Sequence, residues 1–174
     1  MLNYKKGDLP DMLIFLITIF VFAIGLIILA FVIPQISDGL IDAGLNSTSE
    51  GATSIDELTE LGVNGMQKGF LFLFTGFIMG LMISSFLVRT HPIFIFMYIL
   101  FLGITVFLGT YIGNAFEQVA TSDALADTTA SQGLITIVMQ NIVLITLVVG
   151  ALSMIIIFAK FSSVGGGGGS RNPL

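Results

Sequence analysis

The chain has no cysteine and no tryptophan, and only 10% of its 174 residues are charged. The absence of cysteine excludes a disulfide framework, a thiolate metal site and a cysteine nucleophile. Soluble domains usually carry about 25% charged residues. Disordered and nucleic-acid-binding chains also depend on charge, whereas this chain has a net charge of −5. The low charge and the absence of cysteine therefore predict a polytopic membrane protein with no specific affinity for nucleic acid.

Four windows contain no Asp, Glu, Lys or Arg at all. They cover residues 12–33, 69–88, 93–112 and 133–159. Each is long enough to cross a hydrocarbon core as a helix, which takes about 20 residues. A helix is required because an isolated segment in lipid must pair its own backbone groups. The predicted fold class is therefore all-α, with four transmembrane helices in a single domain, 1–174.

The basic residues are distributed unevenly about these spans. Five lie on the side that the two termini share with the turn 89–92, namely Lys5, Lys6, Arg89, Lys160 and Arg171, whereas Lys68 is alone on the other side. The positive-inside rule therefore predicts both termini on the cytoplasmic-equivalent side. Nine of the eleven acids fall on the opposite side: Asp38, Asp42, Glu50, Asp56, Glu57, Glu60, Glu117, Asp123 and Asp127.

The segments between the spans differ in pattern. In the acidic loop 34–68, helical spacing of apolar residues continues past Pro34, and Ser54 with Glu57 matches a capping box that predicts a short amphipathic helix. Pro92 suits the first turn of the third span. The second acidic loop, 113–132, is predicted to be a solvated surface.

The tail 162–174 contains five consecutive glycines and is predicted to be a flexible tether. It is either native or an engineered linker, and the sequence leaves both open. If it is native, we expect its last four residues to contact a neighbouring protein: Arg171, Asn172, Pro173 and Leu174.

The spans lack the ionisable residues that mark transport, proton relay or intramembrane catalysis. We therefore expect no enzymatic activity, no cofactor and no metal site. The spans do carry small residues at four-residue spacing, which allow close helix packing in lipid. One stripe is Gly76, Gly80 and Ser84 in the second span, and the other is Thr105, Gly109 and Gly113 in the third. The two stripes are expected to face each other across the hairpin.

The fourth span adds the amides of Gln140 and Asn141. An amide in hydrocarbon needs a partner, which favours pointing Gln140 into a helix bundle or toward a protein neighbour. The alternative is a pore lining, in which these two amides ring a channel between several copies.

The chain is small, lacks cysteine, ends in a glycine-rich tail and carries a stretch that runs from His91-Pro92-Ile93-Phe94 to Asn114-Ala115-Phe116-Glu117. In these features it resembles the integral membrane proteins of icosahedral viruses with an internal lipid membrane. The resemblance covers roughly residues 89–118. It implies a structural protein, present in many copies, that shapes the vesicle and ties it to capsid proteins.

Two other functions remain open at this stage. One is an accessory subunit of a cellular complex in the cytoplasmic membrane, which uses the same small-residue faces to hold a catalytic partner. The other is a small oligomeric channel or holin-like protein. Holin-like proteins often have a strongly basic tail, whereas only two basic residues follow the fourth span here.

Overall fold

The computed structural model describes residues 11–87 and 92–165. Within these two ranges the chain is helical apart from short turns, and it contains no strand. Its helices are α1 (Asp11–Asp42), α2 (Ser49–Glu60), α3 (Met66–Leu87), α4 (Pro92–Ala120), α5 (Ala126–Ser131), α6 (Gly133–Gln140) and α7 (Ile142–Gly165). Four helical stretches in these ranges are long and apolar enough to cross a membrane. The all-α class is confirmed, and so is the start of α4 at Pro92.

The four long helices form a bundle whose order in space differs from their order in the chain. α1 and α7 each pack against both α3 and α4. α3 and α4 follow each other in the chain but lie across the bundle from one another. The core contains apolar side chains from each corner of this arrangement, including Leu16, Ile19, Phe70, Phe116 and Ile142.

The first helix continues well past the bilayer. Its 32 residues span about 48 Å at the usual helical rise, against roughly 30 Å for a hydrocarbon core. Pro34 lies inside it, so the expected continuation past this residue is confirmed. Gly44 ends the helix with φ 83°, and its N–H donates to the Ile41 carbonyl at 2.9 Å. This left-handed conformation favours glycine because it has no Cβ.

The end of α1 and the whole of α2 form an acidic hairpin, defined here as residues 34–60. The hydroxyls of Ser37 and Thr59 lie 3.2 Å apart between its two arms. Ile55 of α2 is buried, at 6% exposure, and α2 packs against α1. Much of the segment predicted as a loop is therefore a packed helical projection.

The start of α2 corrects the predicted capping box. Thr48, not Ser54, caps the helix, and its hydroxyl accepts a hydrogen bond from the Gly51 N–H at 3.1 Å. Ser54 lies inside the helix and donates to the Glu50 carbonyl at 2.9 Å. Threonine satisfies the same free N–H groups as serine, so the helix begins about one and a half turns earlier than the predicted capping box.

The second and fourth spans contain irregular turns. A π-helical segment, Leu61–Gly65, joins α2 to α3, so that Ser49–Leu87 is one continuous helix of 39 residues. The predicted span 133–159 is not one helix, because α6 ends at Gln140 and α7 begins at Ile142. Between them, the Asn141 side chain donates to the Ile137 carbonyl at 2.8 Å and so competes with the backbone ladder.

Two helices also extend beyond their predicted limits. α4 continues to Ala120, into the predicted loop 113–132, and α7 continues to Gly165, into the predicted tail. A helix need not stop where the hydrocarbon does, because water and headgroups also satisfy its terminal groups. The remaining tail residues, 166–174, lie outside the described residues, as do Arg89, Thr90 and His91.

Candidate functional site: an open groove and a glutamine cluster

The small-residue stripe of α4 is filled by the chain itself. Thr105 is 1% exposed, and its hydroxyl donates to the Phe101 carbonyl at 2.8 Å. A Cβ placed on Gly109 would lie 3.3 Å from Leu16 Cδ1 and 3.6 Å from Val143 Cγ2. One placed on Gly113 would lie 3.7 Å from Ile142 Cγ2. This stripe therefore packs α4 closely against α1 and α7.

A matching small surface on α7 completes that contact. Thr146, Gly150 and Ser153 are buried along it. A Cβ on Gly150 would overlap the side chains of Leu102 and Met12. The Tyr98 hydroxyl donates to the Gly150 carbonyl at 3.2 Å. The α4–α7 contact is thus close and contains the Tyr98–Gly150 hydrogen bond, whereas the buried Thr146 hydroxyl has no partner among the residues that the structure describes.

The stripe of α3 is open. Apart from its own helix backbone and chain neighbours, nothing lies within 4 Å of a Cβ placed on Gly76 or Gly80. These glycines line a groove of about 220 Å³ between α1 and α3, whose other walls are Ile14, Phe15, Phe77 and Leu81. Asp11 and Ser84 also line it, and the Ser84 hydroxyl donates to the Asp11 carboxylate at 2.6 Å.

The prediction that the two stripes face each other is therefore wrong. α3 and α4 lie across the bundle from one another, and the α4 stripe faces α1 and α7 instead. Four-residue spacing determines that small residues share one face of a helix, but not the neighbour that this face meets. We call the space along Gly76, Gly80 and Ser84 the α1–α3 groove.

A cluster of two glutamines, which the sequence did not single out, joins distant parts of the chain. Gln132 is fully buried and donates to the carbonyls of Gly62 and Val63, at 3.0 and 3.4 Å. Gln67 donates to the Ser131 carbonyl at 3.0 Å, and its amide oxygen accepts from the Leu134 N–H at 3.2 Å. The two side chains connect the π-helical segment to the junction of α5 and α6.

This connection has a physical reason. A π-helical turn disturbs the regular i to i−4 pairing, so nearby carbonyls need other donors. The Gln132 amide supplies one of them. Gly62 also allows close contact with α1, because its Cβ position lies 2.8 Å from Ile33 Cγ2. Amide side chains just before an apolar window were the only sequence signal for this cluster.

The structure places Gln140 and Asn141 on the outside of the bundle. Both side chains are exposed. Of the two expectations for Gln140, the one that points it into the chain's own helix bundle is therefore wrong, and the protein neighbour stays a prediction. Gln140 lines a second space of about 210 Å³, the outer cavity, together with Phe116, Glu117, Thr121, Thr129 and Thr136. Because Gln140 is exposed, its side chain is available to contact lipid, to bind a protein neighbour or to line a pore.

The charges separate toward the two ends of the bundle. The acidic hairpin and its junction to α3 carry six acids before the first basic residue, Lys68. At the other end, Asp11 bonds to Ser84, and the Lys160 ammonium donates to the Phe86 carbonyl at 2.6 Å. Which end faces the cytoplasm stays a prediction. The predicted tail contacts, Arg171 to Leu174, lie outside the described residues.

Metal ligands are not clustered in the part of the chain that the structure describes. No group of three or more His, Cys, Asp or Glu residues lies close enough there to hold a metal ion. In comparisons with known proteins, no family model matches the chain, and no curated protein or solved structure is significantly similar to it.

Proposed function

We propose that this protein is a non-catalytic, structural membrane protein that works in many copies by contacting neighbouring membrane proteins. Its setting, in this proposal, is the internal membrane of a virus, which follows from the resemblance of residues 89–118 rather than from the fold. The termini then face the capsid protein. The acidic hairpin, on the opposite side of the membrane, avoids close contact with packaged nucleic acid, because six carboxylates and a phosphate backbone repel each other.

The observation that carries the proposal is the α1–α3 groove. In lipid, helices associate through small residues that let their backbones approach, since the hydrophobic effect does not drive them together. This chain uses one such surface for its own fold and leaves Gly76 and Gly80 without a neighbour. A helix of a second copy, or of another membrane protein, fits this groove better than lipid, because a close-packed helix recovers van der Waals contact along the exposed backbone.

The interior of the bundle supports the same conclusion. Several polar side chains at membrane depth are engaged within the chain, as in the bonds from Thr105 to Phe101 and from Tyr98 to Gly150. The Thr105 bond lies within α4, whereas the Tyr98 bond joins α4 to α7 and is typical of helix packing in lipid. Polar groups that are satisfied inside the chain fit a structural role.

The experiment compares Gly80→Leu with Gly103→Leu. Gly80 lies in the groove, whereas Gly103 is an exposed glycine of α4 that also has nothing within 4 Å of its Cβ position. Self-association of labelled full-length chains is measured by energy transfer in lipid bicelles. We expect Gly80→Leu to weaken association at least about ten-fold, equivalent to about 1.4 kcal/mol, and Gly103→Leu to leave it unchanged.

Two results would contradict this proposal. One is a wild-type chain that stays monomeric in bicelles and purifies in gentle detergent without any other membrane or capsid protein. The other is equal association by wild type and Gly80→Leu. Purification with a cellular enzyme complex would instead assign the chain as an accessory subunit of that complex.

One observation favours a second candidate, an oligomeric channel. Gln140 and Asn141 are exposed on the outside of the bundle, where they are free to line a pore between copies. Liposomes loaded with an ion-sensitive dye separate the two functions. Ion flux that is abolished by Gln140→Leu supports the channel. Absence of ion flux, in a chain verified to be oligomeric, supports the structural role.

A further inference from the structure

The π-helical segment between α2 and α3 leaves one backbone carbonyl to a side-chain donor. The Met66 N–H bonds to the Leu61 carbonyl, five residues back, whereas a regular α-helix pairs each N–H with the carbonyl four residues back. For Met66 that carbonyl belongs to Gly62. In this structure the Gly62 carbonyl accepts a hydrogen bond from the side-chain amide of Gln132, at 3.0 Å. The Gln132 amide and the Met66 N–H are therefore alternative donors to one carbonyl.

The side chain of Gln132 is buried but only partly satisfied. Its Oε1 atom has no hydrogen-bond partner among the residues that the structure describes. A buried polar atom without a partner raises the free energy of the state that contains it. Gln132 also lies between two short helices, α5 and α6, with φ −96° and ψ 50°. The amide is thus held through its nitrogen, on a connection that can move without unfolding a long helix.

Conversion of the π-helical turn to a regular helix would rotate α2 about its own axis. One residue of an α-helix corresponds to about 100° and about 1.5 Å. With α3 held in the bundle, each residue of α2 would take the place of the residue before it. Asp56 would replace the buried Ile55, and Glu60 would replace Thr59, whose hydroxyl faces Ser37. Because an unpaired charge is costly in an apolar contact, α2 would separate from α1.

We propose that Gln132 is a latch that keeps the acidic hairpin closed. While its amide is bound to the Gly62 carbonyl, the π-helical turn persists and α2 packs against α1. When the junction of α5 and α6 moves away from α3, the Met66 N–H takes over this carbonyl, the turn becomes a regular helix and the hairpin opens. The opened hairpin exposes Ile55. A partner that bound only this state would shift the population toward it.

The test follows the contact between the two arms of the hairpin by disulfide formation. Ser37→Cys and Thr59→Cys are introduced into the full-length chain, which has no other cysteine. The two hydroxyls lie 3.2 Å apart, so the two sulfurs can come within bonding distance. The rate of oxidation in lipid bicelles is measured from the thiols that remain free for maleimide labelling. We expect Gln132→Leu to slow disulfide formation at least about five-fold, the factor for one net hydrogen bond.

Deletion of Asn64, an exposed residue of the π-helical segment, supplies the decisive control. It removes the extra residue of the turn, so a regular helix joins α2 to α3 with the residues of α2 in their present places. The hairpin should then stay closed without the latch, and Gln132→Leu should no longer slow disulfide formation. Asn64→Ala keeps the number of residues and should leave the effect of Gln132→Leu unchanged. Gln118→Leu, at an exposed position of α4, should oxidise at the parent rate.

An unchanged rate of disulfide formation in Gln132→Leu would overturn the proposal, because Gln132 would then support α6 without controlling the hairpin. Equal slowing by Gln132→Leu with and without Asn64 would also overturn it, since the effect would then be a general loss of structure. Thermal unfolding checks that each variant folds. Gln132→Asn, whose amide is one methylene shorter, decides if Gln132→Leu does not fold. Self-association through the α1–α3 groove is measured separately, so this inference and the proposed function can fail independently.

Discussion

The stripes of α3 and α4 have the same spacing and similar residues but lie in different surroundings. On α4, Gly109 is in contact with Leu16 and Val143. On α3, Gly76 and Gly80 face open space. The difference shows that small residues at four-residue spacing mark a surface suited to close packing, whereas the arrangement of the bundle decides whether that packing is internal.

The surroundings follow from the order of the helices in space. Because α1 and α7 each lie between α3 and α4, α4 turns its small residues toward two helices at once. α3 places its glycines beside α1 at the edge of the bundle, where Ile14 and Phe77 form walls without a cover. The α4 stripe therefore stabilises the fold, and the α3 stripe is available for a partner.

The strongest test of this difference fills the closed stripe. Gly109→Leu adds a branched side chain where a Cβ alone would lie 3.3 Å from Leu16 Cδ1. We expect the free energy of unfolding to fall by about 3 kcal/mol, because overpacking forces helices apart. Reversible unfolding in mixed detergent micelles measures it. A loss no greater than that of Gly80→Leu would mean that the two stripes do not differ.

A second prediction concerns the glutamine cluster that holds α3 in place. Gln132→Leu leaves the buried Gly62 carbonyl without its side-chain donor, whereas the Val63 carbonyl keeps the Gln67 amide. The unfolding free energy should fall by about 2 kcal/mol. Hydrogen exchange should become faster across Leu61–Gly65. The exposed Gln118→Leu is the control. Unchanged exchange in this segment would show that Gln132 does not support the π-helical turn.

A third prediction concerns the end of the open groove. Ser84→Ala removes the hydrogen bond to the Asp11 carboxylate and should lower the unfolding free energy by about 1 kcal/mol. Ser85→Ala is matched to it, since Ser85 donates only to the Leu81 carbonyl of its own helix and its loss should be nearly neutral. Equal effects of the two variants would show that Ser84 does not join α3 to α1.

The smallest expected effect belongs to the open stripe itself. Gly80→Leu places its side chain where the chain has no other atom within 4 Å of the Cβ. The unfolding free energy of the monomer should change by less than about 0.5 kcal/mol in either direction, as for an uncrowded surface position. A large loss, measured in dilute micelles where the chain is monomeric, would mean that the groove closes within the chain.

Much of the architecture was predictable from local patterns. Charge-free windows predicted the four spans, and Pro92 predicted the start of α4, because both depend on properties of a single segment. The break at Asn141 was not predicted, since Gln140 and Asn141 lie within a window that is otherwise apolar on both sides. The cap at Thr48 was missed because two positions, Thr48 and Ser54, have suitable side chains, and the sequence pattern alone does not distinguish them.

The candidate site was less predictable, because its residues come together from distant parts of the chain. Gln132 and Gly62 are 70 residues apart, and no spacing rule connects them. Gln140 was expected to need a partner, as an amide in hydrocarbon does. Its exposure excludes a place inside the chain's own described bundle, so a contact with a protein neighbour, the other expectation, stays a prediction.

By itself, the sequence determined the helical class, the four apolar spans and the faces on which small and polar residues lie, because backbone pairing in lipid and helical periodicity act locally. Only the tertiary structure decided which stripe is filled, where the glutamines bind and which cavities remain open. Those outcomes depend on the order of α1, α3, α4 and α7 in space, which is set by complementary packing between segments far apart in the chain.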